Sequence, residues 1–171
     1  MRRLPADWSA RDATEVAPDL LYRLVDIRGR LARVTEVEAY TADDPASHSF
    51  SGRTARNSSM FGAAGHWYVY LIYGIHHCIN LVTGSEGDGQ AVLIRTVVVD
   101  GLDPRTTSGP GRLTRALGVD RSLDGAPAAV FDDGLRPPNE PIVTPRIGIS
   151  KAADLPRRWL VATPGQSQRS Q

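Results

Sequence analysis

Six segments of this 171-residue chain have the composition of β-strands, whereas only two have helical patterns. The predicted strands are residues 22–27, 31–40, 67–73, 76–83, 90–99 and 146–150. Turns that contain glycine join the first two strands and the next two, which is typical of β-hairpins. The strands do not alternate with helices, so a parallel βαβ arrangement is not expected. We therefore predict an α+β fold with a mixed, mainly antiparallel, curved β-sheet flanked by a few helices.

Two helices are predicted beside this sheet. Residues 12–21 carry apolar side chains at helical spacing, although Pro18 is expected to break or restart the helix. A second helix is predicted to begin at residues 108–111, where Pro110 suits the first helical turn. Gly118 is predicted to end this helix, because glycine readily adopts the left-handed conformation that follows a helix C-terminus.

The composition is that of an ordinary globular protein, with 41% hydrophobic and 23% charged residues. The length corresponds to one domain, predicted over residues 1–163, and the Gln- and Ser-rich residues 164–171 are predicted to form a disordered tail. The single cysteine, Cys78, excludes an internal disulfide and a cysteine-based zinc site. No signal peptide or long apolar run is visible. We expect a cytoplasmic monomer without membrane contact, associated with the nucleoid if the source is prokaryotic.

Aromatic and charged residues are unevenly distributed, although the net charge is only +1. Residues 45–82 contain no Asp or Glu, yet they hold all four histidines and three of the five tyrosines. This composition is typical of a nucleic-acid-binding surface, but an aromatic β-hairpin in the core would explain it equally well. The window overlaps a long connection at residues 41–65, and such a length in a compact domain favours a functional loop.

One face of the predicted strand at residues 31–40 combines acidic and aromatic side chains. Alternation along a strand places Val34, Glu36, Glu38 and Tyr40 together. A carboxylate and an aromatic ring two residues apart, about 7 Å along the strand, can line one pocket. The alternative is that both glutamates are solvated on an exposed face of the sheet.

The predicted strand at residues 90–99 carries an arginine on an apolar face. Alternation places Arg95 with Ala91, Leu93 and Val97. An arginine there must pair with a carboxylate, bind an anionic ligand or extend to the strand edge. A structural salt bridge is the simpler interpretation, and contact with a phosphate is the functional one.

The sequence lacks the spacings that mark metal sites and serine hydrolases. His76 and His77 are adjacent in a predicted strand, so they point to opposite faces and cannot bind one ion. Neither a His-Glu-x-x-His nor a Gly-x-Ser-x-Gly motif is present. The Gly-Pro-Gly segment at residues 109–111 lacks the lysine of a P-loop and indicates only a helix start. We therefore expect neither a metal nor a cofactor.

Short motifs are spread in a fixed order along most of the chain. They are Glu36-Val-Glu38-Ala-Tyr40, Asp44-Pro-Ala-Ser-His48, Arg53-Thr-Ala-Arg-Asn57, Met60-Phe61-Gly62, Tyr68-Val-Tyr70-Leu-Ile-Tyr73-Gly74, Asn80, Ala91-Val-Leu-Ile-Arg95, Ser108-Gly-Pro-Gly-Arg-Leu-Thr-Arg-Ala-Leu-Gly118 and Pro145-Arg-Ile-Gly-Ile149. Each string alone is a weak signal. Together and in this order they resemble the alkyladenine (3-methyladenine) DNA glycosylase family.

The resemblance implies an enzyme that flips a damaged purine out of double-stranded DNA and hydrolyses its N-glycosidic bond, which leaves an abasic site. By position, Glu38 matches the family's general base, which activates a water molecule for attack on the sugar. Arg95 matches the arginine that helps to hold this water and a neighbouring phosphate. A lyase needs an amine that forms a Schiff base, and Lys151 is the only lysine. Simple hydrolysis is therefore favoured.

The same resemblance implies which residues hold the DNA. Tyr40, His48 and Tyr70 match the walls of the base pocket, and Asn80 matches a residue of its floor that disfavours guanine. Tyr73 matches the side chain at the hairpin tip that enters the duplex and fills the gap left by the flipped nucleotide. Aromatic walls favour a cationic alkylated purine by about 0.5 to 2 kcal/mol.

The chain departs from the family pattern outside the matched pocket residues. The segment between Val99 and Ser108 is shorter than is usual, Ala55 stands where proline is usual, and the first helix ends without the usual glycine. Two other functions stay open. A non-catalytic nucleic-acid-binding module does not need Glu38, whose charge would repel the DNA backbone, and a nucleoside hydrolase does not need Tyr73 at an exposed tip.

Overall fold

Nine strands form one sheet in the structure, a computed structural model that describes residues 1–161. In chain order they are β1 (Arg2–Arg3), β2 (Leu24–Ile27), β3 (Arg30–Tyr40), β4 (Trp67–Ile72), β5 (His76–Thr83), β6 (Gln90–Val99), β7 (Ala129–Asp132), β8 (Ile142–Thr144) and β9 (Arg158–Leu160). Seven strands lie in the order β1-β7-β2-β3-β6-β5-β4, while β9 pairs with β3 and β8. All these pairings are antiparallel. The predicted α+β class is confirmed.

The two predicted helices are present as α1 (Ala13–Leu20) and α2 (Pro110–Ala116). The Asp12 side chain caps α1 by accepting a hydrogen bond from the Thr14 backbone N–H at 2.8 Å. The prediction that Pro18 breaks α1 is wrong, because the helix continues to Leu20. Pro18 lies two residues from the helix end, so its missing N–H disturbs only the last turn. No helix within residues 1–161 is long and apolar enough to span a bilayer.

The core lies between the sheet and the helices. Helix α1 packs on β3 and β6, and α2 packs on β5 and β6. Val16, Ala17 and Leu20 of α1 are completely buried together with valines, leucines and isoleucines of the central strands. Burial of such apolar surface is the main favourable contribution to folding, so these contacts fix the helices against the sheet.

A local irregularity in the β3–β6 pairing changes which side chains face this core. The register of the pairing shifts between Val34 and Glu36 and again between Glu36 and Val37. The regular alternation of side chains between the two faces is therefore interrupted at this point. Val34 and Val97 are fully buried in the main core. The prediction that Val34 shares a face with Glu38, and Val97 with Arg95, is therefore wrong. After the irregularity, Val37 and Ala39 face the core, whereas Glu38 and Tyr40 point to the opposite side of the sheet.

The predicted strand at residues 146–150 is also wrong. These residues form a loop between β8 and β9, and Gly148 within the loop has a left-handed φ of 77°. The backbone N–H of Ile147 donates to a glutamate side chain, whereas a strand residue would donate to a neighbouring strand. The predicted tail at residues 164–171 lies outside the described residues.

Gly65 and Gly29 provide a matched test of how closely this fold is packed. Both have a left-handed φ, 78° and 77°, which is unfavourable for alanine by about 1 to 2 kcal/mol. A Cβ atom at Gly65 would lie 2.8 Å from the Ala6 carbonyl oxygen, whereas one at Gly29 would meet no atom within 4 Å. We expect Gly65→Ala to lower the free energy of unfolding by about 1 to 3 kcal/mol more than Gly29→Ala does. Urea denaturation measures both, and equal losses would contradict the packing described.

Candidate active site

One cavity of about 310 Å³ opens where β3, β4, β5 and β6 meet two loops. The loops are the long connection at residues 41–65 and a segment at residues 145–149, which we name the strap. The cavity is lined by all seven residues that the sequence singled out: Glu38, Tyr40, His48, Tyr70, Tyr73, Asn80 and Arg95. The structure thus brings these side chains together, while their roles stay predictions.

Glu38 is the central polar group of the cavity wall. Its side chain is completely buried, although it lines the cavity. The Tyr40 hydroxyl donates to Oε2 at 2.8 Å, and the Ile147 backbone N–H donates to Oε1 at 2.9 Å. The Arg95 Nη1 lies 3.1 Å from Oε1. The carboxylate is therefore held in one orientation by groups from β3, β6 and the strap, and the alternative of a solvated glutamate at this position is wrong.

Arg95 contacts two carboxylates from its position beside the β3–β6 irregularity. Its Nε donates to Glu36 Oε1 at 3.1 Å, while Nη1 faces Glu38. Glu36 also accepts hydrogen bonds from Thr96 and Arg158, each at 2.7 Å. Burial alone would raise the pKa of Glu36, but these hydrogen bonds and the positive charges of both arginines outweigh it and lower the pKa. Arg95 therefore forms the structural salt bridge that was the simpler interpretation of the sequence, and it also lines the cavity.

Aromatic rings form one side of the cavity. The rings of His48 and Tyr70 are 4.5 Å apart and nearly perpendicular, and those of Tyr68 and Tyr70 are 5.4 Å apart. Nδ1 of His48 lies 2.9 Å from the Tyr68 hydroxyl. Burial lowers the pKa of His48 and raises the pKa of Tyr68 and Tyr70. The wall therefore consists of uncharged rings near neutral pH.

Asn80 and the long loop complete the cavity. The Asn80 side-chain amide donates to the Tyr68 carbonyl at 3.0 Å, which fixes its orientation across the hairpin. Within the loop, the buried Asn57 side chain donates to the His48 carbonyl at 2.8 Å and accepts from the Thr54 N–H at 2.6 Å. These bonds order a segment that has little regular structure and hold His48 at the cavity.

Sequence reasoning assigned no role to several lining residues. Tyr68 could have been found, because its position two residues before Tyr70 in a strand places both rings on one face. Met60, Cys78 and Leu93 also line the cavity, but they are apolar residues of a kind common in protein cores, and the motifs that contain Met60 and Leu93 assigned them no role. The strap residues come from a remote part of the chain, and only the tertiary structure shows their contribution.

Tyr73 lies at the tip of the β4–β5 hairpin and is 83% exposed. Tyr73 and Gly74 have left-handed φ values of 52° and 68°, and the Ile75 N–H donates to the Ile72 carbonyl at 3.2 Å. Such a turn matches the twist of a hairpin but is unfavourable for a tyrosine. A large aromatic ring is therefore held in solvent at the edge of the cavity, on a backbone that would suit a smaller residue. The base of the same hairpin, at Trp67, lies in the core.

Metal-ligating side chains are not clustered in the part of the chain that the structure describes. Within residues 1–161 no group of three or more His, Cys, Asp and Glu side chains is arranged to hold a metal ion. The functional groups that line the cavity include the Glu38 carboxylate, the Arg95 guanidinium and several aromatic rings.

Comparison with known proteins gives consistent matches over most of the chain. The profile of the family described as methylpurine-DNA glycosylase (MPG) matches residues 7–164. A protein of Methanoculleus marisnigri is 47% identical over 179 residues, which cover 91% of this chain and 93% of that protein. Proteins of Burkholderia orbicola and Synechococcus elongatus are 44% and 43% identical, covering 92% and 94% of this chain and 87% and 88% of their own lengths. The names of all three describe candidate 3-methyladenine DNA glycosylases.

These matches show that the protein is an enzyme, a DNA glycosylase of DNA repair. The chain belongs to the methylpurine-DNA glycosylase family. The resemblance inferred from the sequence motifs is thereby confirmed. Family membership supports DNA as the substrate.

Asp44, which is buried and ion-paired with Arg146, is expected to make stability depend on pH. Burial alone would raise its pKa, but hydrogen bonds from Arg146 and the Ala46 N–H and the charges of Arg146 and Arg157 hold the pKa below that of an ordinary aspartate. A carboxylate with a lowered folded-state pKa stabilises the protein above the unfolded pKa, and this stabilisation is lost as the pH falls through the folded value. Asp44→Asn should therefore cost about 3 to 5 kcal/mol at pH 7 and progressively less below about pH 4. Urea denaturation from pH 7 to 3 measures this, and a constant difference would contradict it.

Proposed function

We propose that the protein is a monofunctional DNA glycosylase of base excision repair that releases alkylated or deaminated purines with a water molecule activated by Glu38. The observation that carries the proposal is the completely buried Glu38 carboxylate, held beside Arg95 in the wall of a cavity lined by aromatic rings. The cavity volume is within the range of small-molecule sites, and a purine inside a stacked duplex cannot reach it. The nucleotide therefore has to leave the helix before reaction.

The reaction needs one base and one electrostatic contact. Glu38 accepts a proton from water, the water oxygen bonds to C1′ of the sugar, and the bond from C1′ to the purine nitrogen breaks with its electron pair leaving on the purine. Arg95, anchored through Nε by Glu36, keeps Nη1 at the carboxylate and helps to hold the water and a nearby phosphate. A purine alkylated at N3 or N7 is cationic and leaves readily, so a single carboxylate suffices where ordinary glycosidases use two.

Selection of the damaged base is assigned to the walls of the cavity. Tyr40 and Tyr70 offer ring faces on which a cationic purine is stabilised more than a neutral one. Because Nδ1 of His48 contacts the Tyr68 hydroxyl, Nε2 is the nitrogen that can bind the edge of the purine. The amide of Asn80, oriented by the Tyr68 carbonyl, disfavours the 2-amino group of ordinary guanine.

The hairpin tip keeps the nucleotide out of the duplex. Tyr73 fills the gap in the base stack, which offsets part of the few kcal/mol that unstacking costs. The exposed apolar neighbours Leu71 and Ile75 support insertion of this tip between bases. A non-catalytic binding module would explain the tip but not a buried glutamate that is ion-paired in the cavity wall.

Replacement of Glu38 tests the chemical step. Glu38→Gln preserves the shape of the side chain but removes the base, so excision should fall by about 100-fold or more while binding of lesion-containing duplex persists. Duplexes carrying N3-methyladenine, N7-methylguanine, ethenoadenine or hypoxanthine are incubated with each protein and then cleaved with alkali at abasic sites. Gel-shift titration measures binding.

The matched control is Glu86→Gln, which makes the same change at an exposed loop position and should excise like the wild type. Undiminished excision by Glu38→Gln would refute the role of Glu38. A wild-type protein that releases none of the four bases would refute the proposed function itself.

Replacement of Tyr73 tests the hairpin wedge. Tyr73→Ala should lower excision from duplex DNA much more than excision of the same lesion from a single strand, because only the duplex leaves a gap to be filled. Loss of a base-stacking aromatic residue costs about 1 to 3 kcal/mol, which corresponds to an excision rate on duplex DNA that is lower by about 5- to 150-fold. The measurement is the ratio of single-turnover rates on the two substrates.

Leu135→Ala is the control for this experiment, because Leu135 is 54% exposed and does not line the cavity. It should leave the ratio at the wild-type value. An equal loss of rate on duplex and single strand with Tyr73→Ala would show that Tyr73 contacts the base directly and does not act as a wedge.

A further inference from the structure

The strap supplies one of the three groups that hold Glu38. Ile147, Gly148 and Ile149 of the strap line the cavity, and the Ile147 N–H donates to Glu38 Oε1. Among residues 1–161, no strand pairs with these strap residues, and side chains anchor the strap to the rest of the fold. The Arg158 Nε donates to the Pro145 carbonyl at 3.1 Å, which fixes only the beginning of the strap.

Arg146 anchors the strap at the residue before Ile147. Its side chain is completely buried, and its two terminal nitrogens contact both carboxylate oxygens of Asp44, Nη2 at 3.0 Å from Oδ1. Nη1 also donates to the Ala39 carbonyl at 3.0 Å, and Nη2 donates to the Ala152 carbonyl at 3.3 Å. One buried cation therefore joins the end of β3, the loop at residues 41–65 and the strap.

The same guanidinium lies beneath the cavity wall. Its carbon atom is 4.6 Å from the centre of the Tyr40 ring, and the Tyr40 hydroxyl is the donor to Glu38 Oε2. Arg146 thus contacts Tyr40 directly and precedes Ile147 in the chain. Both hydrogen-bond donors to the Glu38 carboxylate, the Tyr40 hydroxyl and the Ile147 N–H, are therefore connected to Arg146.

Stability alone does not explain such a pair. Removing two charges from water costs several kcal/mol per ion, so well-packed apolar side chains would serve a structural purpose equally well or better. A bidentate arginine does, however, define the positions of the groups around it within narrow limits. We propose that Asp44 and Arg146 form a positioning pair for base excision, which holds the Ile147 N–H and Tyr40 against Glu38. This inference rests on the proposed function, because it assigns the pair to the same reaction.

The test compares Arg146→Lys with Ile147→Pro, which removes the N–H itself. Arg146→Lys retains the charge but cannot contact both Asp44 oxygens and two carbonyls at once. Displacement of a catalytic group by about 1 Å can lower a reaction rate about 100-fold. We therefore expect the single-turnover excision rate of each variant to be about 100-fold lower than that of the wild type. The lesion duplex concentration at half-maximal rate should stay near the wild-type value. The double variant should be little worse than either single one, because both changes remove the same contact.

Arg33→Lys is the matched control. Arg33 and Asp133 form a similar two-point ion pair, at 2.6 and 3.4 Å, but neither lines the cavity. This variant should lose stability in thermal denaturation and keep the excision rate. Hydrogen exchange at the Ile147 amide, followed by NMR, is a readout that does not require activity, and Arg146→Lys should abolish the protection of this amide.

Three results would overturn the positioning role. They are a folded Arg146→Lys protein with the wild-type rate, rate losses that multiply in the double variant, and unchanged exchange at Ile147. If Arg146→Lys does not fold, a wild-type rate for Ile147→Pro overturns the proposal. A wild-type enzyme that excises no damaged base would instead contradict the proposed function, and the exchange measurement would still decide whether Arg146 positions the strap.

Discussion

A buried carboxylate without partners is too costly to persist in a folded protein, and the site depends on how this fold satisfies Glu38. Its carboxylate accepts hydrogen bonds from Tyr40, two residues along the same strand, and from the Ile147 backbone, and it forms an ion pair with Arg95 on the neighbouring strand. The β3–β6 irregularity allows this arrangement, because it turns Glu38 away from the apolar core while Val34 stays within it. The core and the cavity are thus on opposite sides of one strand.

Sequence patterns correctly predicted the features that depend on interactions between residues close together in the chain. Hairpin turns, the two helices and the common face of Glu38 and Tyr40 follow from strand alternation and from the conformations of glycine and proline. The motif order predicted the family, and every residue that it singled out lines the cavity. Alternation predicted the wrong face for Val34 and Val97, because two register shifts between Val34 and Val37 reverse the pattern and leave no mark in composition.

The strap was mispredicted for a different reason. Residues 146–150 alternate polar and apolar side chains like a strand, but Arg146 is paired with Asp44 from 102 positions away, and the Ile147 N–H bonds a carboxylate 109 positions away. These contacts give the Arg146 terminal nitrogens and the Ile147 N–H partners that do not belong to a neighbouring strand. No local rule anticipates them, because their strength depends on a buried environment that only the whole fold creates.

The use of arginine for nearly all positive charges suits this chemistry. Arg95 contacts Glu36 through Nε and Glu38 through Nη1, and the planar guanidinium holds these two nitrogens in a fixed geometry. The only lysine, Lys151, is exposed after the strap and does not line the cavity. A lysine nucleophile would have to attack the sugar from within the cavity to form a Schiff base. The charged residues that line the cavity are instead Glu38 and Arg95. A carboxylate and a guanidinium can orient a water molecule, but neither can form the Schiff base that a lyase needs. This favours hydrolysis to an abasic site.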